Sequence, residues 1–295
     1  MEKVINYLRL MRPANIVTSV SDVLAGIAIS GFLFTESIQV VLIPVIWLCL
    51  STIGLYGGGV VFNDVFDAEL DRVERPERPI PSGKVTKAEA SLLGGILLFF
   101  GIVMAALNSF TSGLMAFLIA FFALLYNKLS KHNSIAGPLN MGLCRGLNLL
   151  LGISIIPAIP SDFYLLAVIP VIYIASVTII SRGEVHGGSR RALYTGLVLY
   201  MAVISFIFYI SILKGKALLT LVFLLPFSWM IFKPLVRAIK DPIGKNIGKA
   251  VKGGVIALIL MNSAWAASFG AAYTALVIAA LLPLSLWLAK LFAVT

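Results

Sequence analysis

The residues best suited to chemistry lie in one stretch, NDVFDAELDRVERPERPIPSGK, residues 63–84. It separates two long apolar segments and holds six of the chain's thirteen acidic residues. On a helix at about 100° per residue, Asn63, Asp64, Asp67 and Asp71 share roughly a quarter-turn arc. Like charges on one face repel, and a divalent cation converts that repulsion into coordination. Oxygen ligands without Cys or His suit Mg²⁺, which keeps several waters and bridges to substrate phosphates. The stretch then turns basic with Arg72, Arg75, Arg78 and Lys84, as a phosphate-bearing ligand requires. The spacing therefore points to a metal–diphosphate site at a membrane rim. The plain alternative is a solvated, charged loop between membrane helices.

The elements that must position this stretch are apolar helices. Of 295 residues, 60% are hydrophobic and 12% charged. Soluble domains run near half apolar and a quarter charged, so this is a polytopic helical membrane protein. The net charge of +10 fits cytoplasmic loops against anionic lipid and calls for no nucleic-acid partner. Cys49 and Cys144 sit in apolar runs and spell neither a disulfide framework nor a zinc site. No cleavable signal peptide is evident, and the first apolar stretch reads as a signal anchor. Spans are expected at about 15–34, 40–62, 90–108, 112–125, 135–157, 163–181, 192–213, 217–235, 251–269 and 271–291. The basic loops orient the bundle with the charged stretch facing the cytoplasm.

The motif Asn63-Asp64-x-x-Asp67-x-x-x-Asp71, followed by Arg78-Pro79-Ile80-Pro81-Ser82-Gly83-Lys84, resembles the first signature of the UbiA superfamily of intramembrane prenyltransferases. The resemblance implies a single domain over 1–295: an all-α polytopic bundle of nine or ten transmembrane helices around a central cavity. It implies Mg²⁺-dependent prenyl transfer from a polyprenyl diphosphate to a lipophilic aromatic or alcohol acceptor. The host would be the cytoplasmic (inner) membrane, with membrane lipid as the surrounding partner. The first motif loop would cover 63–90 and the second 182–191. Metal ligands would be Asn63, Asp64, Asp67 and Asp71, with Asn63, Asp67 and Asp71 catalytic. Tyr126 and Lys131 fit the family's Tyr-to-Lys spacing, which implies that Lys131 contacts diphosphate. Topological charge alone would explain Lys128, Lys131 and His132 equally well.

The second acidic motif departs from the family's D-x-x-G-D. Residues 184–188 read Glu-Val-His-Gly-Gly, so Glu184 can stand for the first Asp as ligand and catalytic acid, and Gly188 brings no ligand. Arg182, Arg190 and Arg191 could hold diphosphate in place of a metal, and His186 could carry a proton. Such residues also occur simply as loop charges. This variant resembles the EboC-type branch of UbiA-like proteins, which raises a second reading: binding or moving an isoprenoid-type precursor without efficient transfer.

Polar residues inside spans complete the set. Asn15 and Asp22 lie in the first, and Arg145, flanked by Asn140 and Asn148, in the fifth. An ionisable residue within a span faces the bundle interior by default. Asp22 and Asn15 could help bind the acceptor, or Asp22 could pair with an intramembrane base such as Arg145. Arg145 could line the pocket or snorkel to the interface. Tyr56-Gly57-Gly58-Gly59 serves close helix packing or a backbone break above the site. A transporter built on Asp22 and Arg145 is disfavoured, because the acidic motif sits at the rim rather than the midplane.

Overall fold

The computed structural model describes residues 2–35, 38–131, 133–184 and 187–292. Every regular element in them is helical, in the order α1 (Glu2–Met11), α2 (Pro13–Ser30), α3 (Phe32–Thr35), α4 (Ile38–Phe66), α5 (Ala68–Glu74), α6 (Lys87–Asn108) and α7 (Phe110–Leu125). A π-turn follows at Tyr126–Ser130. Then come α8 (Ala136–Ile153), α9 (Ser161–Leu166), α10 (Val168–Ser181), α11 (Arg190–Leu213), α12 (Ala217–Lys240), α13 (Gly244–Ser268) and α14 (Ala272–Leu291).

Among the described residues, nine spans are long and apolar enough to cross a membrane, with α9 and α10 forming one of them. α8 is the tenth long segment of the bundle. Asn140, Arg145 and Asn148 keep it out of the apolar set, yet all three are buried. The expected segments 251–269 and 271–291 are two helices, broken at Gly270, whose φ of 85° favours glycine.

α2 and α13 are buried on nearly all faces, and their polar side chains Asp22 and Asn262 meet each other inside the bundle. α6, α11, α12 and α14 are mostly exposed and present side chains such as Phe99, Tyr194, Trp229 and Tyr273 outward, where lipid replaces water as solvent. Small residues set the closest approach. A Cβ on Gly26 of α2 would overlap the carbonyl oxygen of Leu149, and one on Gly152 of α8 that of Val23. The two backbones thus touch, the familiar use of glycine between membrane helices. Gly58 of α4 packs likewise, since a Cβ there would sit 2.8 Å from the carbonyl oxygen of Gly94 on α6. Close packing is what these glycines do here.

The first motif differs from the expected loop over 63–90. α4 continues through Asn63 and Asp64 to Phe66, and α5 carries Asp71. Backbone bonds run across the join, from Asp67 N–H to Asn63 C=O at 3.0 Å and from Asp71 N–H to Asp67 C=O at 2.8 Å. Helix survives because the acidic face is neutralised by cations from elsewhere in the chain. True loop occupies 75–85, and Thr86 starts α6 with a reciprocal capping box to Glu89.

Candidate active site

The C-terminal halves of α4, α7 and α10, the N-terminal halves of α2 and α13 and the middle of α8 enclose a cavity of about 330 Å³. Its cap is charged. Asn63, Asp67, Arg75, Arg78, Lys131 and Glu184 line it. Below the cap the wall turns apolar with Leu55, Ile119, Met141, Ile174, Val251 and Val255.

The motif residues divide into two groups. Asn63 and Asp67 face the cavity, and Asp64 and Asp71 do not. Arg12 donates to Asp64 at 2.7 Å, and Arg78 donates to both Asp64 at 3.2 Å and Asp71 at 2.7 Å. Asp64 and Asp71 are buried, so these pairs are shielded from water. The expected ligand set of Asn63, Asp64, Asp67, Asp71 and Glu184 is therefore not gathered around one point. Among the described residues, no three His, Cys, Asp or Glu groups lie close enough to hold a metal. The sequence spacing puts the acids on one arc, but arginines claim two of them. Asp67 is ion-paired with Lys131. Asn63 donates its amide nitrogen to Asn127 Oδ1 at 2.9 Å, and Asn127 in turn donates to the Gly59 carbonyl at 3.0 Å. That orientation leaves the Asn63 carbonyl oxygen out of the bond.

The remaining expected residues also part. Tyr126, Lys131, Asn15 and Glu184 line the cavity. Arg72 does not; it is exposed and paired with Glu69 at 2.6 Å. Lys84 and Arg190 are exposed and lie outside the lining. Arg182 is exposed and donates to the carbonyls of Asn133 and Ser134, which ties it to the start of α8 rather than to the cavity. Each of these four sits on the solvent side of its element, which charge alone in the sequence does not reveal. His132 and His186 lie outside the described residues.

Arg12 is the residue that motif reading passes over. It is the one described non-glycine residue with positive φ, at 50°. A left-handed conformation costs a side-chain-bearing residue about 1–2 kcal/mol and is kept where surroundings hold it. Here Pro13 fixes the start of α2, and the Arg12 side chain is held by Asp64. The Arg-Pro pair at a helix start is the signal that could have found it.

At mid-depth, Asp22 and Arg145 form a buried pair at 2.7 Å. Asp22 also accepts from Asn148 at 3.1 Å and from Asn262 at 2.7 Å. Arg145 donates a second bond to Thr18 and lies 4.8 Å over the Tyr56 ring. Asn148, Thr52 and Ser19 extend the network. Of the two readings for Asp22, pairing with an intramembrane base is the arrangement present. Asp22 is fully buried and absent from the lining, so its carboxylate meets Arg145, Asn148 and Asn262 rather than the cavity wall. Arg145 lines the cavity and does not snorkel.

The UbiA prenyltransferase family model matches residues 23–242. The chain belongs to the UbiA prenyltransferase family. A curated relative, digeranylgeranylglyceryl phosphate synthase from Methanothrix thermoacetophila, is 33% identical over 145 residues, covering 49% of this chain and 52% of that protein. The chain thus spans about half the length of the curated relatives it matches. A solved structure described for digeranylgeranylglyceryl phosphate synthase in membranes aligns over 91% of this chain and 99% of its own, with 24% identity and a TM-score of 0.66. A UbiA homologue from Archaeoglobus fulgidus, bound to GPP and Mg²⁺, aligns over 86% of this chain and 99% of its own, with 18% identity and a TM-score of 0.61. These structural likenesses establish the UbiA fold: an all-helical, multi-pass membrane bundle.

Proposed function

We propose that this UbiA-family chain transfers a prenyl group from a polyprenyl diphosphate to the hydroxyl of a glycerophosphate-type lipid within the membrane. The observation that carries the reading is the cavity itself, a charged cap opening directly onto an apolar body. The cap suits a diphosphate and the body an isoprenoid tail. The curated relatives, named for digeranylgeranylglyceryl phosphate synthesis, support the choice of acceptor over an aromatic one.

Mg²⁺ fits the residues present. Asn63, Asp67 and Glu184 offer hard oxygen donors to one cavity, and Mg²⁺ is usually bound by one or two carboxylates plus substrate phosphates and water. Bound there, it would neutralise charge developing on the departing diphosphate. Lys131 would exchange Asp67 for a phosphate oxygen, and Arg75 and Arg78 would stabilise the same leaving group. The allylic C–O bond breaks with its electron pair going to diphosphate. The acceptor hydroxyl oxygen attacks the resulting allylic cation, and its proton passes to the departing diphosphate. The apolar wall keeps competing water away from that cation. The cap would face the cytoplasm of the cytoplasmic membrane, because the loops and helix starts at its end carry Arg75, Lys84, Lys128, Arg190, Lys245 and Lys249.

The test is Mg²⁺-dependent turnover of radiolabelled geranylgeranyl diphosphate with geranylgeranylglyceryl phosphate as acceptor. Asp67→Ala should abolish it, and unaltered turnover in that variant would overturn the site. The second reading, binding without efficient transfer, is favoured by Gly188, which adds no acid to the cap. Tight binding without turnover would select it.

A further inference from the structure

We infer that this chain binds its diphosphate with a single divalent cation, and that Arg75 supplies the positive charge on the other side of the ligand. The inference rests on the prenyl-diphosphate reading above.

The first support is the place where a second cation would need ligands. Gly188 has no side chain, and its N–H donates to the Pro242 carbonyl at 3.1 Å. A Cβ on Gly188 would lie 2.7 Å from Ile247 Cδ1, and a Cβ on Gly183 would overlap the Gly188 Cα. This corner is closed by an isoleucine and by backbone on backbone. Glu184 is the one acid it sends to the cavity among the described residues. Asp64 and Asp71 are turned out of the lining onto arginines, so Asn63, Glu184 and Asp67, the last freed when Lys131 moves to phosphate, remain as donors. That set suits one Mg²⁺ completed by phosphate and water and is too small for a pair.

The second support is Arg75. Of the cations lining the cavity, Arg12 is paired with Asp64, Arg78 with Asp64 and Asp71, Lys131 with Asp67, and Arg145 with Asp22. Arg75 lines the same cavity and has no carboxylate partner among the described residues. Its backbone N–H is satisfied by Asp71 C=O at 2.9 Å at the end of α5, so its backbone is held while its guanidinium has no carboxylate partner among the described residues. Across the cap, Arg12, Arg75, Arg78 and Lys131 balance Asp64, Asp67, Asp71 and Glu184. A diphosphate brings more negative charge than one divalent cation removes, and the excess falls to the guanidinium that has no acid of its own.

Mn²⁺ replaces Mg²⁺ as a countable probe. Purified full-length protein in detergent, saturated with unreactive geranylgeranyl S-thiolodiphosphate, is titrated and bound Mn²⁺ is counted by electron paramagnetic resonance. The expected result is one Mn²⁺ per chain. Arg75→Gln should weaken thiolodiphosphate binding by at least about tenfold with the count still one, and Arg75→Lys should recover part of the loss. Two Mn²⁺ per chain, or none with the thiolodiphosphate bound, overturns the single-cation inference. Unchanged affinity in Arg75→Gln overturns the role of Arg75. Failure of the thiolodiphosphate to bind at all overturns the prenyl-diphosphate reading itself, and this inference with it.

Discussion

Replacing Asp22 with Leu should destabilise the bundle sharply, and replacing Arg145 as well should restore much of the loss. Asp22 is fully buried and accepts bonds from Arg145, Asn148 and Asn262. Its removal leaves a guanidinium with only Thr18 and the Tyr56 ring as compensation. Breaking one side of a buried pair costs about 3–5 kcal/mol, because the surviving charge is stranded. The insertion cost of a lone charge at mid-membrane, about 2.5–3.5 kcal/mol, sets a similar scale. Asp22→Leu and Arg145→Leu should each lose about 3 kcal/mol. The double variant should lose only about 1–2 kcal/mol, a coupling of about 4–5 kcal/mol, because replacing both partners with apolar groups is often neutral. Reversible unfolding in mixed detergent micelles, followed by circular dichroism, measures all four proteins of the cycle. Additive losses, with coupling below about 0.5 kcal/mol, would refute the view that these residues act as one unit.

Two smaller changes test the frame around the site. Gly152→Ala places a methyl group against the Val23 carbonyl, and the forced separation of α2 from α8 should cost about 1–3 kcal/mol in the same unfolding assay. Thr86→Ala removes one half of the capping box that starts α6 and should cost about 1 kcal/mol, whereas Thr86→Ser should be close to neutral.

Much of this arrangement is legible in the chain. The apolar runs yield ten long segments, and the separation at Gly270 keeps the last two apart as their spacing suggests. The first motif identifies the cap, and the two ionisable residues placed inside spans turn out to be partners. What a single sequence withholds is which acid meets which cation. Asp64 and Asp71 have the same spacing logic as Asp67, yet Arg12 reaches in from fifty-two positions away and Arg78 from the following loop. Arg72 and Arg75 lie three residues apart in one basic run, and only the path of the chain puts one outside and the other inside. Asn127 gives no signal in the sequence, because an amide beside Tyr126 and Lys128 carries no charge pattern, although it is what holds Asn63 in orientation.

The polarity of α8 bears on how the protein is assembled. With Asn140, Arg145 and Asn148 in eighteen residues, this helix is poorly suited to enter lipid alone. Its guanidinium meets a carboxylate on α2, which is synthesised earlier, so α8 can be received by a partner already in place. The Asn262 side chain that also binds Asp22 arrives only with α13, more than a hundred residues later. A nascent chain halted between α8 and α13 would therefore hold an ion pair with one of its amide donors still missing. The bundle interior therefore cannot be complete until α13, buried on nearly all sides, has been made.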